Sequence, residues 1–334
     1  MKRRHFIKTG STVALGLPLL PNTLIFKKIN LINMKREFEV LVIGGSYAGL
    51  SAAMALGRSL RQVLVIDSGL PCNRFTPHSH NFITHDGATP AEITRQARQQ
   101  VERYDTVHFH EGLAMEGRKT GAGFEIETQA GEVFFGKKLV FATGLRDDLP
   151  ELPGLSDCWG KTALHCPYCH GYEVRKQPTA VLGNGGYGYD FGKLISQWTD
   201  DLTLLTNGES TLSEEQAAKL QKHGIRIVET KISHLEHAKG KLRSVVFKDK
   251  TSLPLHAMYL RPNAVQHCKI PHQLGCELTE MGTLKVDIMQ KTTVPGVFAC
   301  GDNMTMGRAV AAAVATGMLA GAVTNAMLVE EVFG

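Results

Sequence analysis

The main body of this sequence lacks an excess of positive charge. The chain has 334 residues, with 37 Lys and Arg against 32 Asp and Glu. Residues 1–36 contain eight of the basic residues and no acidic one, so the remainder carries 29 basic against 32 acidic residues, a net charge of −3. A folded body with this charge has no general electrostatic attraction for nucleic acid. Nucleic-acid binding is therefore excluded from the expected functions.

Cysteine is too scarce to build a disulfide scaffold. Seven cysteines in a chain of this length are unlike the dense frameworks of small secreted domains. Only Cys166 and Cys169 have a spacing that carries chemistry by itself, and the other five are predicted to be ordinary buried or half-buried thiols. The sequence has no second Cys-x-x-Cys, which a structural zinc site usually needs, so no metal site is predicted.

Long apolar runs are also few, and the first lies in a predicted leader, residues 1–36. A basic head with an Arg3-Arg4 pair precedes an apolar run that Pro18 and Pro21 interrupt, so it is too short and broken to span a bilayer. This pattern is typical of a twin-arginine export signal, which predicts a periplasmic protein. The alternative is an upstream extension without a role, because translation could start at Met34, just before the first predicted strand. The protein would then be cytoplasmic.

The other uncharged run covers residues 309–329 and is rich in Ala and Gly. Alanine is only weakly apolar, and polar residues such as Thr316 and Asn325 interrupt the run. The composition therefore predicts a buried helix rather than a membrane span.

A glycine-rich turn follows the first predicted strand, residues 38–43. An apolar helical pattern comes next, and then a second strand that ends at Asp67. This strand–turn–helix–strand unit with an acidic residue about twenty positions on is typical of dinucleotide binding. The turn carries Ser46 where the fingerprint has its middle glycine. The candidate cofactor-binding residues of this unit are Gly44, Gly45, Ser46, Ala48, Gly49 and Asp67.

A second glycine fingerprint, Gly183, Gly185 and Gly188, follows a predicted strand at residues 179–182. A helical segment extends to about residue 198, and a further strand, residues 202–205, ends in Thr206-Asn207-Gly208. That ending has neither an acid for a ribose nor a basic residue for a 2′-phosphate. The pattern predicts a second Rossmann unit, which either binds NADPH or NADH or is vestigial.

Two further strand ends complete the candidate cofactor site. Residues 132–141 are strand-like, and a short strand near residue 298 precedes a glycine–aspartate pair. This pair suits the ribityl and phosphate part of a flavin, although a simple turn and helix cap would have the same composition. The candidate residues at these strand ends are Ala142, Thr143, Gly144, Gly301, Asp302, Arg308, Ala309 and Val310.

The string Cys166-Pro167-Tyr168-Cys169-His170 is the candidate redox centre. A Cys-x-x-Cys is a redox dithiol, half of a zinc site, or a coincidence. A dithiol at a helix N-terminus is chemically sensible, because free amides and the helix dipole stabilise a thiolate there. His170 is the candidate acid or base for thiol–disulfide exchange, and His165 is expected to be a structural hydrogen-bonding residue.

Together these motifs resemble the low-molecular-weight thioredoxin reductase family over about residues 37–330. The resemblance implies an α/β fold of two Rossmann-like three-layer domains. A discontinuous FAD domain, residues 37–148 and 261–334, would contain an inserted NAD(P)-binding-like domain, residues 149–260. It also implies FAD as cofactor, a homodimer, and Cys169 as the sulfur nearest the flavin, with Cys166 attacking the external partner.

The sequence departs from that family in ways that bear on function. His170 stands where the usual reductase has an aspartate, and the basic motif for the NADPH 2′-phosphate is missing. The string Cys-Pro-Tyr-Cys-His-Gly-Tyr-Glu and the segment His78-Ser79-His80-Asn81-Phe82 resemble a side branch that includes the dithiol oxidases of gliotoxin and holomycin.

The sequence thus predicts an FAD-dependent thiol–disulfide oxidoreductase. Its partner would be a thioredoxin-type protein or a small dithiol. Two alternatives remain open at this point: a dithiol oxidase that uses oxygen and no NADPH, and a flavin-binding redox sensor without turnover.

Overall fold

The computed structural model describes residues 36–334. The predicted leader, apart from its last residue, therefore lies outside the described residues. The described chain has an α/β fold with two parallel-sheet cores, each covered on both faces, as the sequence predicted.

The strands are numbered in chain order. They are β1 (Glu37–Ile43), β2 (Val63–Asp67), β3 (Val107–Glu111), β4 (Ala114–Lys119), β5 (Phe124–Thr128), β6 (Val133–Phe141), β7 (Leu145–Asp148), β8 (Ala163–Leu164), β9 (Thr179–Leu182), β10 (Leu202–Leu205), β11 (Arg226–Val228), β12 (Ile232–Ala238), β13 (Lys241–Phe247), β14 (Ser252–Pro254), β15 (Ala257–Leu260), β16 (Asn263–Gln266) and β17 (Val297–Ala299).

The α-helices are numbered in the same way. The chain also contains short 3₁₀ helices at Cys72–Phe75 and Gly301–Met304. The α-helices are α1 (Tyr47–Arg58), α2 (Pro90–Val101), α3 (Leu155–Cys158), α4 (Pro167–His170), α5 (Gly185–Ile195), α6 (Glu214–Lys222), α7 (Ile270–Gln273) and α8 (Val310–Phe333).

The first sheet has the order β3-β2-β1-β6-β5-β4, with β17 also paired to β6. Strands β3, β2, β1, β6 and β17 are parallel, whereas β4, β5 and β6 form an antiparallel meander. Alternate residues of β1 enter opposite cores: Val40 and Val42 face α1 and α8, and Leu41 and Ile43 lie in the core on the other side. A strand buried on both faces needs this continuous apolar run.

Helix α8 packs directly on α1, and glycine makes the close approach possible. A Cβ atom on Gly317 would overlap the backbone of Ala48, and one on Gly321 would overlap the backbone of Ala52. By length and composition α8 is apolar enough to cross a membrane. Its contact with α1 buries Ala313, Ala320 and other residues of the predicted apolar run, as expected for a core helix.

The second sheet has the order β11-β10-β9-β15-β8, and all of its pairs are parallel. Successive residues of β9 again enter different cores. Ala180 lies with residues of the antiparallel sheet β12-β13-β14, and Val181 lies with Ile195 of α5 and Leu220 of α6. Helices, parallel sheet and antiparallel sheet therefore form three layers, as predicted, although the sequence did not reveal the antiparallel layer.

The chain crosses between the two sheets twice, and the two crossings pair with each other. Strands β7 and β16 form a two-stranded antiparallel sheet in which Asp148 is opposite Asn263 and Leu145 is opposite Gln266. The segment that leaves the first sheet is therefore hydrogen-bonded to the segment that returns to it.

We expect Gly317→Ala to destabilise the fold, because the added methyl group would force α8 away from α1. Overpacking of this kind costs about 1–3 kcal/mol or more. Urea unfolding followed by circular dichroism would measure the loss in the free energy of unfolding. Gly192→Ala in α5 is the matched control. Its Cβ would meet only Leu220, at an ordinary 3.7 Å, so a gain of up to about 1 kcal/mol in helix propensity is expected there. Equal effects of the two substitutions would contradict the packing argument.

Candidate active site

A cavity of about 800 Å³ lies beside the carboxyl ends of the first sheet's strands. It extends from the turn after β1 to the segment that carries the paired cysteines. Most of the residues predicted from sequence line it. These are Gly44, Gly45, Ser46, Ala48, Asp67, Ala142, Thr143, Gly144, Cys169, His170, Gly301, Asp302, Arg308, Ala309 and Val310.

Two helix N-termini converge on this cavity. Helix α1 starts after Ser46 and α8 starts after Ala309, and both of these residues line the cavity. Neither helix has a side-chain cap or an acidic residue in its first turn. The backbone N–H groups and the positive dipole ends are therefore available to an anionic ligand such as a pyrophosphate.

The predicted turn chemistry at the start of α1 agrees with the structure. Gly44 adopts a φ of +104°, and a Cβ on it would overlap the carbonyl oxygen of Ala142. A Cβ on Gly49 would overlap the carbonyl oxygen of Gly44, so Gly49 serves backbone packing and does not line the cavity. Asp67 accepts a hydrogen bond from the Gly45 N–H at 3.0 Å, which holds its carboxylate at the cavity wall.

Arg308 is the centre of a buried charge cluster. Its guanidinium donates to both carboxylate oxygens of Asp147, at 2.5 and 3.2 Å, and its Nε lies 3.3 Å from Asp302. The side chains of Arg308 and Asp147 are only 9% and 8% exposed. Burial is the largest single effect and opposes the charged form, but the hydrogen bond to Asp147 together with the charges of Asp147 and Asp302 raises the pKa of Arg308. The pKa of Asp302 is raised by burial, which the charge of Arg308 partly offsets.

Asp147 was not predicted from the sequence, because no local sequence pattern marks it as a site residue. Asp147 follows Ala142-Thr143-Gly144 by only three residues, on β7, but an isolated aspartate in a strand of alternating character has no diagnostic pattern. Its partner Arg308 is 161 residues away in sequence. The pairing becomes visible only when the fold is known.

Cys72 is a second residue that the sequence did not place at the site. It lies in the 3₁₀ helix after β2 and lines the cavity, with its Sγ 2.7 Å from Arg308 Nη2 and 3.6 Å from Asp147. Burial raises the pKa of Cys72 to about 11, although the charge of Arg308 acts in the opposite direction. Cys72 is therefore a protonated thiol at neutral pH.

The paired cysteines are joined in a disulfide, with their Cα atoms 5.3 Å apart. Cys166 precedes α4, and the Cys169 N–H donates to the Cys166 sulfur at 3.2 Å. The paired cysteines thus lie at a helix N-terminus, as predicted; because α4 is only four residues long, its dipole is small and the local N–H of Cys169 is the donor near the Cys166 sulfur. Cys169 lines the cavity, whereas Cys166 does not. The two sulfurs thus face different environments.

Two histidines flank the disulfide, and both are neutral at physiological pH. Burial, and then the electrostatic interaction with His80, lowers the pKa of His170 to about 4. Burial and the charge of Arg308 also lower the pKa of His165, which lies beside Trp159 with ring centroids 5.7 Å apart. A neutral imidazole can accept a proton, and His170 is the one adjacent to Cys169 in sequence.

The second glycine fingerprint lies outside the cavity. Gly183, Gly185 and Gly188 surround the start of α5, and none of them lines the large cavity. The side chain of Asn184 occupies this turn: its Oδ1 accepts from the backbone N–H groups of Gly185 and Thr211, both at 2.8 Å. The protein itself therefore satisfies amides that a bound phosphate would otherwise use.

The large cavity fits FAD in size and in the chemistry of its lining. Its volume is within the range of about 300–1,000 Å³ that is usual for cofactor pockets. The two uncapped helix starts suit the pyrophosphate, and Asp67 suits ribose hydroxyls. Among residues 36–334, no group of three or more His, Cys, Asp or Glu side chains is arranged to hold a metal ion.

Comparison with known proteins agrees with these features. A family model described as pyridine nucleotide-disulphide oxidoreductase matches residues 38–317. The chain is 33% identical over 307 residues to thioredoxin reductase tcpT of Claviceps purpurea, covering 89% of this chain and 96% of the relative.

Solved structures give the same result over nearly the full length. An oxidoreductase from Agrobacterium tumefaciens is 37% identical with a TM-score of 0.83, and the match covers 88% of this chain and 99% of that one. The crystal structure of HlmI is 32% identical with a TM-score of 0.85, covering 90% and 95%. The chain therefore belongs to the pyridine nucleotide-disulphide oxidoreductase family and is a thioredoxin reductase-like, FAD-binding oxidoreductase.

Proposed function

We propose that this protein moves two electrons between FAD and an external dithiol or disulfide through the Cys166–Cys169 pair. One observation carries the proposal: Cys169 lines the same cavity as the two uncapped helix starts that suit the FAD pyrophosphate. When bound, FAD supplies a two-electron acceptor or donor beside that sulfur. The external partner is a thioredoxin-type protein or a small-molecule dithiol.

The exchange step with an external dithiol begins at Cys166, the sulfur outside the cavity. A substrate thiolate attacks the Cys166 sulfur, the Cys166–Cys169 bond breaks, and Cys169 leaves as a thiolate. The second substrate thiol then displaces Cys166, which gives the substrate disulfide and a reduced cysteine pair. In the opposite direction the reduced pair converts an external disulfide into a dithiol.

His170 is the proposed proton acceptor in this exchange. The attacking species must be a thiolate, and an adjacent neutral imidazole can take the proton that the substrate thiol loses. Burial lowers the pKa of His170 to about 4, so the imidazole is neutral over the physiological range. So weak a base holds the proton while the Cys169 thiolate that the exchange forms lies beside it, because a nearby negative charge favours the imidazolium. His170 lines the cavity together with Cys169.

The remaining site assignments are proposals as well. FAD would be held by the cavity-lining residues named above, with Gly49 supporting their turn. The domain limits proposed from sequence, 37–148 and 261–334 around an insertion of 149–260, are supported by the pairing of β7 with β16, where the chain crosses between the sheets.

A specific observation favours one direction of electron flow, that of a dithiol oxidase without NADPH. The Asn184 side chain already accepts from one amide of the second glycine turn, that of Gly185, and from the amide of Thr211 beside the turn. At the end of β10, Thr206 donates to Gly208 O, and Asn207 accepts from the Ile232 N–H at 2.7 Å. These polar groups serve the fold, and the segment Thr206-Asn207-Gly208 itself contributes neither an acid nor a base for a nucleotide ribose or its phosphate. The nearest basic side chain is that of Lys231, whose Cε would lie 3.9 Å from a Cβ on Gly208. Oxygen would then accept the two electrons and two protons of the dithiol, giving hydrogen peroxide.

The assembly and the location are proposed on narrower grounds. The family resemblance supports a homodimer, and exposed apolar side chains at Leu278, Met281 and Ile288 offer surface for a second subunit to cover. Export to the periplasm rests on the basic head with its Arg3-Arg4 pair and on the apolar run that follows it, with the cytoplasm as the alternative. Size-exclusion chromatography with light scattering would measure the mass against 36.5 kDa for one chain.

Replacement of Cys169 by Ser should abolish electron transfer from a dithiol to the flavin. The rate of flavin bleaching by dithiothreitol under anaerobic conditions should fall on the order of 10³-fold or more, as in other enzymes that lose a covalent catalytic group. Cys158→Ser is the matched control, because Cys158 is a buried thiol that does not line the cavity and is not part of the disulfide. A Cys169→Ser protein that still bleaches at the wild-type rate would refute the assigned role of Cys169.

Anaerobic titration with NADPH should leave the visible flavin band largely unchanged. The physical reason is that Asn184 already occupies the Gly185 amide of the second glycine turn, and that Thr206-Asn207-Gly208 offers no charged group to a 2′-phosphate. A dithiol added to the same sample should bleach the band, and dithionite provides the control for a reducible flavin. Rapid, stoichiometric bleaching by NADPH would instead establish a reductase and contradict the oxidase direction.

A further inference from the structure

The two glycine-rich turns of this chain differ at a position that faces the cofactor cavity in the first turn. When the turns are aligned on their first and third glycines, residues 44–49 match residues 183–188, so Ala48 corresponds to Tyr187. Ala48 lines the large cavity at the start of α1. The second turn therefore carries a phenol ring where the first turn presents a single methyl group to the cavity.

The backbone of the second turn still has the geometry of a nucleotide-binding turn. Gly185 adopts a φ of +56°, a conformation that favours glycine. A Cβ on Gly188 would lie 3.0 Å from the backbone of Gly183, so α5 packs closely on the end of β9. Close packing of helix on strand is the role of the third glycine in dinucleotide-binding units. Side chains therefore decide whether a dinucleotide can enter this turn.

The half-buried Tyr187 ring lies at the carboxyl end of β9. A Cβ on Gly183, the residue directly after β9, would lie 2.7 Å from both Cδ1 and Cε1 of the ring. The guanidinium carbon of Arg261, the residue directly after β15, lies 5.9 Å from the ring centroid. Strand β9 pairs with β15 on one side and with β10 on the other, so the strand order reverses here. Ligands of open parallel sheets bind in the crevice at this point.

Contacts of the ring, and none of the hydroxyl, hold Tyr187 in this position. The ring stacks on Phe191, one helical turn further along α5, with centroids 5.3 Å apart. Phe191 packs in turn against the core on the helix side of the second sheet, where its ring meets the edge of Tyr259. The Tyr187 hydroxyl is buried and has no hydrogen-bond partner among residues 36–334. A phenylalanine at this position would therefore keep the same placement.

We propose that Tyr187 is a specificity-determining residue that closes the dinucleotide crevice of the second Rossmann unit. Its ring occupies the place between the ends of β9 and β15 that a nicotinamide nucleotide would take, so NADH and NADPH are excluded by bulk. The Asn184 side chain, which accepts from the Gly185 amide, is a second and smaller barrier. The inference deepens the proposed dithiol-oxidase direction, on which it rests, by naming the residue that keeps the nucleotide out.

Titration of the FAD-bound protein with NAD⁺ tests the closure. NAD⁺ cannot reduce an oxidised flavin, so calorimetry reports binding alone, and the bound FAD keeps the probe out of the large cavity. Tyr187→Ala should bind NAD⁺ about 10–100-fold more tightly than the wild type, because a crevice that is open for only about 1–10% of the time weakens binding by that factor. Tyr187→Phe keeps the ring and is the matched control, and it should bind NAD⁺ as weakly as the wild type does.

Asn184→Gly separates the effect of the ring from that of the occupied amide. It frees the Gly185 N–H but leaves the Tyr187 ring in place, so by itself it should change the NAD⁺ affinity by less than about threefold. Combined with Tyr187→Ala it should tighten binding further, because the freed amide can then donate to the pyrophosphate. The two substitutions are therefore expected to be non-additive, since the amide becomes accessible only when the crevice is open.

The closure would be overturned if Tyr187→Ala bound NAD⁺ no more tightly than the wild type, or if Tyr187→Phe or Asn184→Gly alone gained as much affinity. Retention of FAD shows that a variant is folded, and Tyr187→Ser is the second opening variant if Tyr187→Ala loses its flavin. Failure of the proposed function is a separate result. If no dithiol reduces the wild-type flavin, the proposed function fails, whereas the comparison of NAD⁺ affinities still decides the role of Tyr187.

Discussion

Close backbone contact at three glycines is the constraint on which the cofactor cavity depends. Gly44, Gly49 and Gly317 each lie where a Cβ atom would overlap a neighbouring backbone. These contacts hold α1 against both the strand-end turns and α8, so that the starts of the two helices open onto one cavity. The site for an anionic cofactor is therefore set by how closely backbones pack, and only secondarily by the side chains that line it.

The buried charge cluster around Arg308 is the second constraint on the cofactor cavity. The guanidinium joins Asp302 after β17 to Asp147 on β7, the strand by which the chain leaves the first sheet. Taking such charges out of water is expensive, and the paired hydrogen bonds offset much of that cost without adding great stability. The cluster instead fixes position, because removal of Arg308 would leave the two carboxylates of Asp147 and Asp302 without a cation between them. Cys72 lies at its edge as a protonated thiol.

Local patterns predicted the strand–turn–helix units, the cysteine pair and the fifteen cavity-lining residues named above, because each depends on neighbours in sequence. Three features could not be predicted in this way. Asp147 meets Arg308 across 161 residues, and the Tyr187 ring lies beside Arg261 from a separate strand end. The complete second fingerprint, Gly183 to Gly188, indicated a nucleotide turn, but whether its amides are free depends on the side chain of Asn184, which no glycine pattern reveals. The helix after Cys166 is one turn long, and turns follow it at residues 171–176.

The central claim is that the Cys169 sulfur lies against the flavin ring. A crystal structure of the FAD-bound protein tests it most directly. The account predicts the pyrophosphate between the starts of α1 and α8, and Cys169 Sγ in van der Waals contact with the isoalloxazine, at about 3.5–4 Å. The account would be contradicted if the flavin ring pointed away from the disulfide and other side chains separated it from Cys169. No rotation of the second sheet would then be able to bring the Cys169 sulfur to the ring.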